Sequence, residues 1–119
     1  MGAKYVRLNQ RLYHYLCGCR SDVSDPLLQE LRAETAALGK KISICQIGDE
    51  QGTFLSVLVA AVGVKSAIEV GTFTGYSSLC IARALPADGR LICLDASQEW
   101  TAVARKYWVR AGVQDRSCS

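Results

Sequence analysis

The feature that most constrains the fold is a strand, a glycine-containing loop, a helix and a second strand that follow one another. A short predicted strand over Ser66–Val70, with a polar residue near its end, leads to the loop 71–75, and a helical pattern over residues 76–85 stops at a proline. The second strand, Arg90–Leu94, is almost continuously apolar, which is typical of a parallel strand covered on both faces. Short loops between alternating strands and helices predict a right-handed parallel βαβ unit.

Further helical patterns lie on either side of this unit. They cover residues 5–16, 26–38, 49–62 and 98–111. Asp25 followed by Pro26 is a typical helix start, because an N-cap side chain precedes a proline whose missing N–H costs nothing there. Ser97 is the predicted N-cap of the last helix. We therefore predict one α/β domain, with a helical segment over residues 1–48 and a helix plus βαβα core over residues 49–119.

The composition is that of an ordinary globular protein. Half of the 119 residues are hydrophobic and 21% are charged, which argues against disorder and suffices for one domain. The net charge of +3 is too small to imply a nucleic-acid or membrane partner. The longest apolar stretch is far shorter than the roughly 20 residues that a bilayer requires, and no secretory signal is visible. We therefore expect a cytoplasmic protein whose six cysteines are reduced.

The candidate ligand site lies where the predicted strands end, because open α/β sheets bind ligands at the carboxyl ends of their strands. Gly71 and Gly75 would let the loop turn sharply and bring its backbone against a ligand. The start of the following helix, at residues 76–78, offers N–H groups and hydroxyls to an anionic group. Asp95, at the end of the second strand, would accept hydrogen bonds from a ribose, and Glu69 would suit a cation.

The glycine spacing indicates which nucleotide cofactor is expected. A dinucleotide site needs three glycines as G-x-G-x-x-G, so that the backbone can approach a pyrophosphate. Here the spacing is Gly-x-x-x-Gly, with Phe73 and Thr74 inside the loop, which disfavours a nicotinamide dehydrogenase. S-adenosylmethionine carries a ribose, a carboxylate and an ammonium group but no pyrophosphate. It is therefore the cofactor that the loop and the two acidic residues predict.

Residues 69–78, with the sequence EVGTFTGYSS, resemble the first motif of the cation-dependent small-molecule O-methyltransferases, the family that contains the caffeoyl-CoA and catechol enzymes. Bacterial members are the most similar. The resemblance reaches to about residue 116 and also includes residues 30–35, 50–55, 84–90, 95–100, 104–108 and 111–113. It implies the Rossmann-like methyltransferase fold, a doubly wound and mainly parallel sheet, with only the N-terminal half present and helices in front of it.

The resemblance also implies roles for individual residues. Cys45 and Ile47 fall where the family places residues beside the methionine end of the cofactor and the substrate, although Met and Thr are common there. The set of predicted cofactor-binding residues is Glu69, Gly71, Thr72, Gly75, Ser77, Asp95, Cys45 and Ile47. The implied activity is methyl transfer to a hydroxyl of a small catechol-like or phenolic molecule.

The family's divalent cation, usually magnesium, is held by two aspartates and an asparagine that would lie beyond Ser119. We therefore expect no catalytic and no metal-ligating residue in this chain, and a cation only in a full-length protein. Residues 116–119 are polar where the family continues into a third strand, which suggests a truncated, frame-shifted or fragmentary product. Such a product would be inactive alone and either marginally stable or oligomeric, most simply a homodimer, because its first strand has an open edge. The alternatives are a non-catalytic cofactor-binding or dimerising module and an NAD(P)-binding dehydrogenase domain.

Overall fold

The computed structural model describes Gly2 and residues 4–118. Within them, helices and strands alternate after an N-terminal helical segment. The helices are α1 (Gln10–Gly18), α2 (Pro26–Ala37), α3 (Lys40–Ser43), α4 (Asp49–Val62), α5 (Tyr76–Ala84) and α6 (Gln98–Arg110). The strands are β1 (Ser66–Val70), β2 (Arg90–Leu94) and β3 (Ser117–Cys118), the last preceded by a 3-10 turn at Gln114–Arg116.

The described strands form one parallel sheet in the order β1-β2-β3. β1 and β2 pair in register from Ser66 opposite Arg90 to Val70 opposite Leu94. This confirms the predicted βαβ unit and brings the two strand ends to the same edge of the sheet. β3 contradicts the expectation of an abrupt polar end, because Ser117 pairs with Leu91 through backbone hydrogen bonds that do not depend on apolar side chains.

The core lies on one face of the sheet. Along β2 the side chains of Leu91 and Cys93 are buried, whereas Ile92 and Leu94 are 47% and 49% exposed. Behind the buried face, Trp108 of α6 is buried and donates a hydrogen bond from Nε1 to Oγ of Ser78, at 3.1 Å. The expectation that β2 is covered on both faces is therefore wrong for the described part of the chain, in which the helices of the core pack on one side only.

The N-terminal helices confirm one predicted start and correct another. Asp25 caps α2 as predicted, since its Oδ1 accepts hydrogen bonds from the backbone N–H groups of Leu27 and Leu28. α1 begins at Gln10 rather than near Tyr5, because Oδ1 of Asn9 accepts a hydrogen bond from N of Leu12 and so caps the helix at that point. The short helix α3 was not predicted.

Ion pairs along its length connect α2 with helices α5 and α6 of the core. Arg83 of α5 pairs with Asp25 at 2.6 Å, and Arg110 of α6 pairs with Glu30 at 2.7 Å. Lys106 pairs with Glu34 at 2.5 Å. These contacts hold the helical segment against the βαβα unit, while the division of the chain at residue 48 stays a prediction. In the described ranges, no helix is both long and apolar enough to cross a membrane.

Candidate functional site

The loop between β1 and α5 has an unusual backbone. Gly71, Phe73 and Gly75 all lie in the left-handed region, with φ values of 88°, 53° and 87°. A phenylalanine in this region is strained, and such strain persists only where the surroundings impose it. Two backbone hydrogen bonds help to impose this loop conformation. Gly71 donates to the carbonyl of Leu94 at 2.8 Å, and Gly75 donates to the carbonyl of Thr72 at 3.0 Å.

The two loop glycines are required for different reasons. A Cβ atom on Gly75 would lie 2.6 Å from Cβ and 2.9 Å from Cα of Ala104 in α6, so this glycine lets the helix pack against the loop. A Cβ atom on Gly71 would meet no protein atom within 4 Å. Gly71 thus faces open space at the end of the sheet, where a ligand can approach its backbone, whereas the space next to Gly75 is already filled by protein.

Asp95 connects the end of β2 to the loop. Its Oδ2 accepts a hydrogen bond from N of Phe73 at 2.7 Å, and its Oδ1 accepts one from N of Ser97 at 2.8 Å. These backbone donors, the N–H of Phe73 foremost, hold the pKa of the Asp95 carboxyl below its ordinary value. Because an ionised carboxylate has about four acceptor positions and Asp95 is half-exposed, acceptor capacity remains for a ligand.

Glu69 lies near the end of β1 with one oxygen satisfied and one not. Its Oε1 accepts a short hydrogen bond from Oγ of Ser77, whereas Oε2 is buried without a hydrogen-bond partner. The Thr72 hydroxyl makes no hydrogen bond of ordinary geometry but lies close enough to affect the carboxyl. Burial raises the pKa of Glu69, a shift that Ser77 and Thr72 oppose and the charge of Asp95 reinforces. A buried, unpartnered carboxylate oxygen is costly, and a ligand donor would relieve that cost.

Two cavities meet at the loop. The larger is an open pocket of about 460 Å³, lined by Val70, Gly71, Leu94, Asp95 and Ala96. The smaller, of about 40 Å³, is lined by the segment 45–47, the residues 71–73, Tyr76 and Ser77. Gly71 lines both. The structure therefore brings the predicted residues Cys45 and Ile47 to the same loop as the predicted residues of the βαβ unit.

Several residues of the site were missed in the sequence. Gln46, Thr35 and Thr74 form a hydrogen-bonded group below the loop, and Trp100 packs edge-on against Phe73 with ring centroids 4.9 Å apart. A polar residue in a loop and a threonine in a helix carry no sequence signal for such contacts. Only Thr74 had a signal, since it occupies a position of the glycine motif.

The described residues do not suit a divalent cation. Across Gly2 and residues 4–118, no three side chains of His, Cys, Asp or Glu come together in a way that could hold a metal ion. The requirement of a full-length protein for magnesium stays a prediction.

A parallel βαβ unit with acidic residues near two adjacent strand ends and a strained glycine loop between them places the chain in the Rossmann-like class of α/β folds, in which ligands bind at this edge of the sheet. The sequence profile of the O-methyltransferase family matches residues 19–117. This chain belongs to the O-methyltransferase family, which confirms the resemblance found in its motifs.

Individual relatives agree with this assignment. Caffeoyl-CoA O-methyltransferase 2 of Petunia hybrida is 35% identical over 100 residues, which cover 83% of this chain and 40% of the relative. An O-methyltransferase from Bacillus cereus, solved in complex with SAH, has a TM-score of 0.80 and 31% identity, covering 90% of this chain and 47% of its own. A further solved relative is TomG from Streptomyces achromogenes, an O-methyltransferase involved in tomaymycin synthesis and solved with SAM. It has a TM-score of 0.80 and 25% identity, and the match covers 94% of this chain and 51% of TomG.

These comparisons confirm the predicted Rossmann-like methyltransferase fold. They also give the extent of the match. The chain spans about 40% of the length of the Petunia relative and about half of each of the two solved structures.

Proposed function

We propose that this chain binds S-adenosylmethionine at the carboxyl ends of β1 and β2. It would form the cofactor-binding part of an O-methyltransferase that acts on a hydroxyl group of a small catechol-like or phenolic molecule. The observation that carries the proposal is the placement of Glu69 and Asp95 on either side of the strained loop, at paired strand ends. The SAH and SAM bound to the Bacillus and Streptomyces relatives support it.

Each part of the site suits one part of this cofactor. Asp95 stays ionised and accepts hydrogen bonds from the ribose hydroxyls. Oε2 of Glu69, which has no hydrogen-bond partner within the protein, accepts a hydrogen bond from the ammonium group. The N-terminus of α5 carries positive partial charge and faces the carboxylate. Cys45 and Ile47, on the other wall of the smaller cavity, lie beside the methionine end.

When bound, S-adenosylmethionine supplies an electrophilic methyl group on a positively charged sulfur. The residues of this chain hold and orient it, because both acidic residues are fixed by hydrogen bonds from the loop or the helix that follows it. Such positioning is a large part of the rate enhancement in any two-substrate transfer. The residues that hold and deprotonate the hydroxylated substrate are not assigned to this chain.

The cofactor assignment is tested by titrating the 119-residue chain with S-adenosylmethionine, SAH and NADH in a calorimeter. We expect heat of binding from the first two and none from NADH, because the loop lacks the three-glycine spacing for a pyrophosphate. Binding of NADH without binding of S-adenosylmethionine would replace the proposal with a dehydrogenase domain.

The raised pKa of Glu69 predicts how binding depends on pH. Because burial raises this pKa, the carboxyl takes up its proton at a higher pH than an ordinary glutamate. Protonation removes the charge that attracts the ammonium group, so affinity for S-adenosylmethionine should fall as the pH is lowered through the raised pKa. Glu69→Gln should bind roughly tenfold more weakly at neutral pH, the loss of one charged hydrogen bond, and should lack this acid-side decline. Dissociation constants for S-adenosylmethionine, measured over a series of pH values for the unmodified chain and for Glu69→Gln, test this prediction. If the two proteins show the same affinity at every pH, Glu69 does not belong to the site.

A second candidate function is a non-catalytic module that binds the cofactor or dimerises. The exposed side chains of Ile68 and Val70, 68% and 81% accessible on the edge strand β1, favour association with another chain. We propose a homodimer as the simplest such assembly. Cytoplasmic location, and function without a nucleic-acid or membrane partner, stay predictions.

A further inference from the structure

We propose that Gln46 is a positioning residue that, with Thr35, fixes the cofactor loop against the N-terminal helices and so sets its affinity for the cofactor. The inference rests on the proposed function, because it assigns a role within the same binding site. It concerns residues from three parts of the chain: α2, the segment after α3, and the loop between β1 and α5.

The contacts among these residues are short and shielded from water. Nε2 of Gln46 lies 2.9 Å from Oγ1 of Thr35 and 3.2 Å from Oγ1 of Thr74. The two hydroxyl oxygens lie 2.8 Å apart. Both threonines are fully buried, and Gln46 is half-buried. Hydrogen bonds in such a place are stronger than in water, and each one lost leaves a group unsatisfied.

One arrangement of protons satisfies every group. Thr35 donates to the carbonyl of Leu31, one helical turn back, at 2.8 Å. Thr74 then donates to Oγ1 of Thr35, and the two N–H bonds of the Gln46 amide go to the two hydroxyl oxygens. Thr35 therefore accepts two hydrogen bonds and gives one, which uses the whole capacity of a hydroxyl. A side chain that lacks the amide donor at position 46 cannot complete this arrangement.

The hydrogen-bonded group acts on the binding site through Thr74, which belongs to the cofactor loop. Thr74 lies between Phe73 and Gly75, both in the left-handed region, so its side chain anchors the most strained part of the loop. The same loop presents N of Phe73 to Asp95. Gln46 also lies between Cys45 and Ile47, which line the smaller cavity opposite the loop. Its amide thus fixes the distance between the two walls of that cavity.

The first test compares Gln46→Met with Gln29→Met in the full 119-residue chain. Methionine keeps the length of the side chain and removes the amide. Gln29 is a matched control, because its Nε2 makes one exposed hydrogen bond, and the acceptor, the carbonyl of Val23, does not belong to the loop. We expect Gln46→Met to weaken SAH binding in a calorimeter about fivefold, the equivalent of one neutral hydrogen bond, and Gln29→Met to leave it unchanged. Equal affinity of Gln46→Met and the unmodified chain would overturn the inference.

The second test separates positioning from general stability. Thr35→Val removes the hydroxyl that links α2 to the loop, and Thr35→Ser restores it. In hydrogen–deuterium exchange without ligand, Thr35→Val and Gln46→Met should speed exchange in residues 71–77 and leave β2 and α6 unchanged, and Thr35→Ser should slow it again. Faster exchange throughout the chain, or no change in the loop, would overturn the inference.

The exchange measurement also distinguishes the two proposals. If the unmodified chain does not bind SAH, the proposed function fails. The role of Gln46 in holding the loop is still decided by whether exchange in residues 71–77 responds to its replacement.

Discussion

Replacing Gly75 with alanine is expected to lower the free energy of unfolding by about 2–5 kcal/mol, the sum of a left-handed backbone penalty and the cost of overpacking. The backbone of Gly75 has a φ of 87°, and the added methyl group would lie 2.6 Å from Cβ of Ala104. Ala104 cannot move aside to make room for the added methyl group, because it is fully buried in α6. Denaturant unfolding followed by circular dichroism measures the loss.

Gly63→Ala is the matched control for this experiment. Gly63 ends α4 with a φ of 69°, and an added Cβ atom would meet nothing within 4 Å. Its replacement should therefore cost about 1–2 kcal/mol, the backbone penalty alone. Equal losses for the two variants would show that the contact with Ala104 does not determine the need for glycine at position 75.

Asp95→Asn is expected to weaken S-adenosylmethionine binding about 10- to 100-fold, because charged hydrogen bonds to a ligand are worth more than neutral ones. Asparagine keeps one acceptor oxygen and replaces the other with a donor. That donor must face either N of Phe73 or N of Ser97, so one backbone hydrogen bond is lost as well. Calorimetric titration of the variant measures the change in affinity.

Asp88→Asn serves as the control, since Asp88 is exposed, pairs with Lys65 at 2.7 Å and lies at the opposite end of β2. It should bind the cofactor as the unmodified chain does. Because backbone donors lower the pKa of Asp95, its charge stabilises the fold above the pKa of the unfolded chain, and that contribution is lost as the pH falls through the lowered pKa. Undiminished affinity in Asp95→Asn would exclude the carboxylate from the ribose site.

Elements with local start and stop signals were predictable from the sequence. Asp25 and Ser97 cap α2 and α6 by accepting hydrogen bonds from residues two or three positions on, a contact that the sequence alone specifies. The start of α1 was not predictable in the same way, because Tyr5 and Leu8 have helical spacing but lie in the non-helical segment before Asn9. β3 was missed because it exists through pairing with β2, not through its own side chains.

Some residues of the candidate site were likewise predictable from the sequence, and others were not. Glu69 and Asp95 were predictable because strand ends in a parallel sheet share one edge, so the pattern of strands alone places them together. Gln46 and Thr35 were not, because their partner Thr74 lies 28 and 39 positions away and the contact depends on how α2 packs. Packing also changed the interpretation of Gly75. The sequence predicted that it lets the backbone approach a ligand, whereas in the structure it makes room for Ala104 of α6.

The exposed face of the sheet has a thermodynamic consequence for the pocket beside it. Val70 and Leu94 belong to both, since they line the larger cavity and are 81% and 49% exposed. A second copy that covers this face would also enclose the pocket, so association and cofactor binding become linked equilibria. By reciprocity, the cofactor must then tighten the dimer by the same factor by which dimerisation tightens cofactor binding. The apparent affinity of such a dimer-forming chain for the cofactor would then depend on protein concentration.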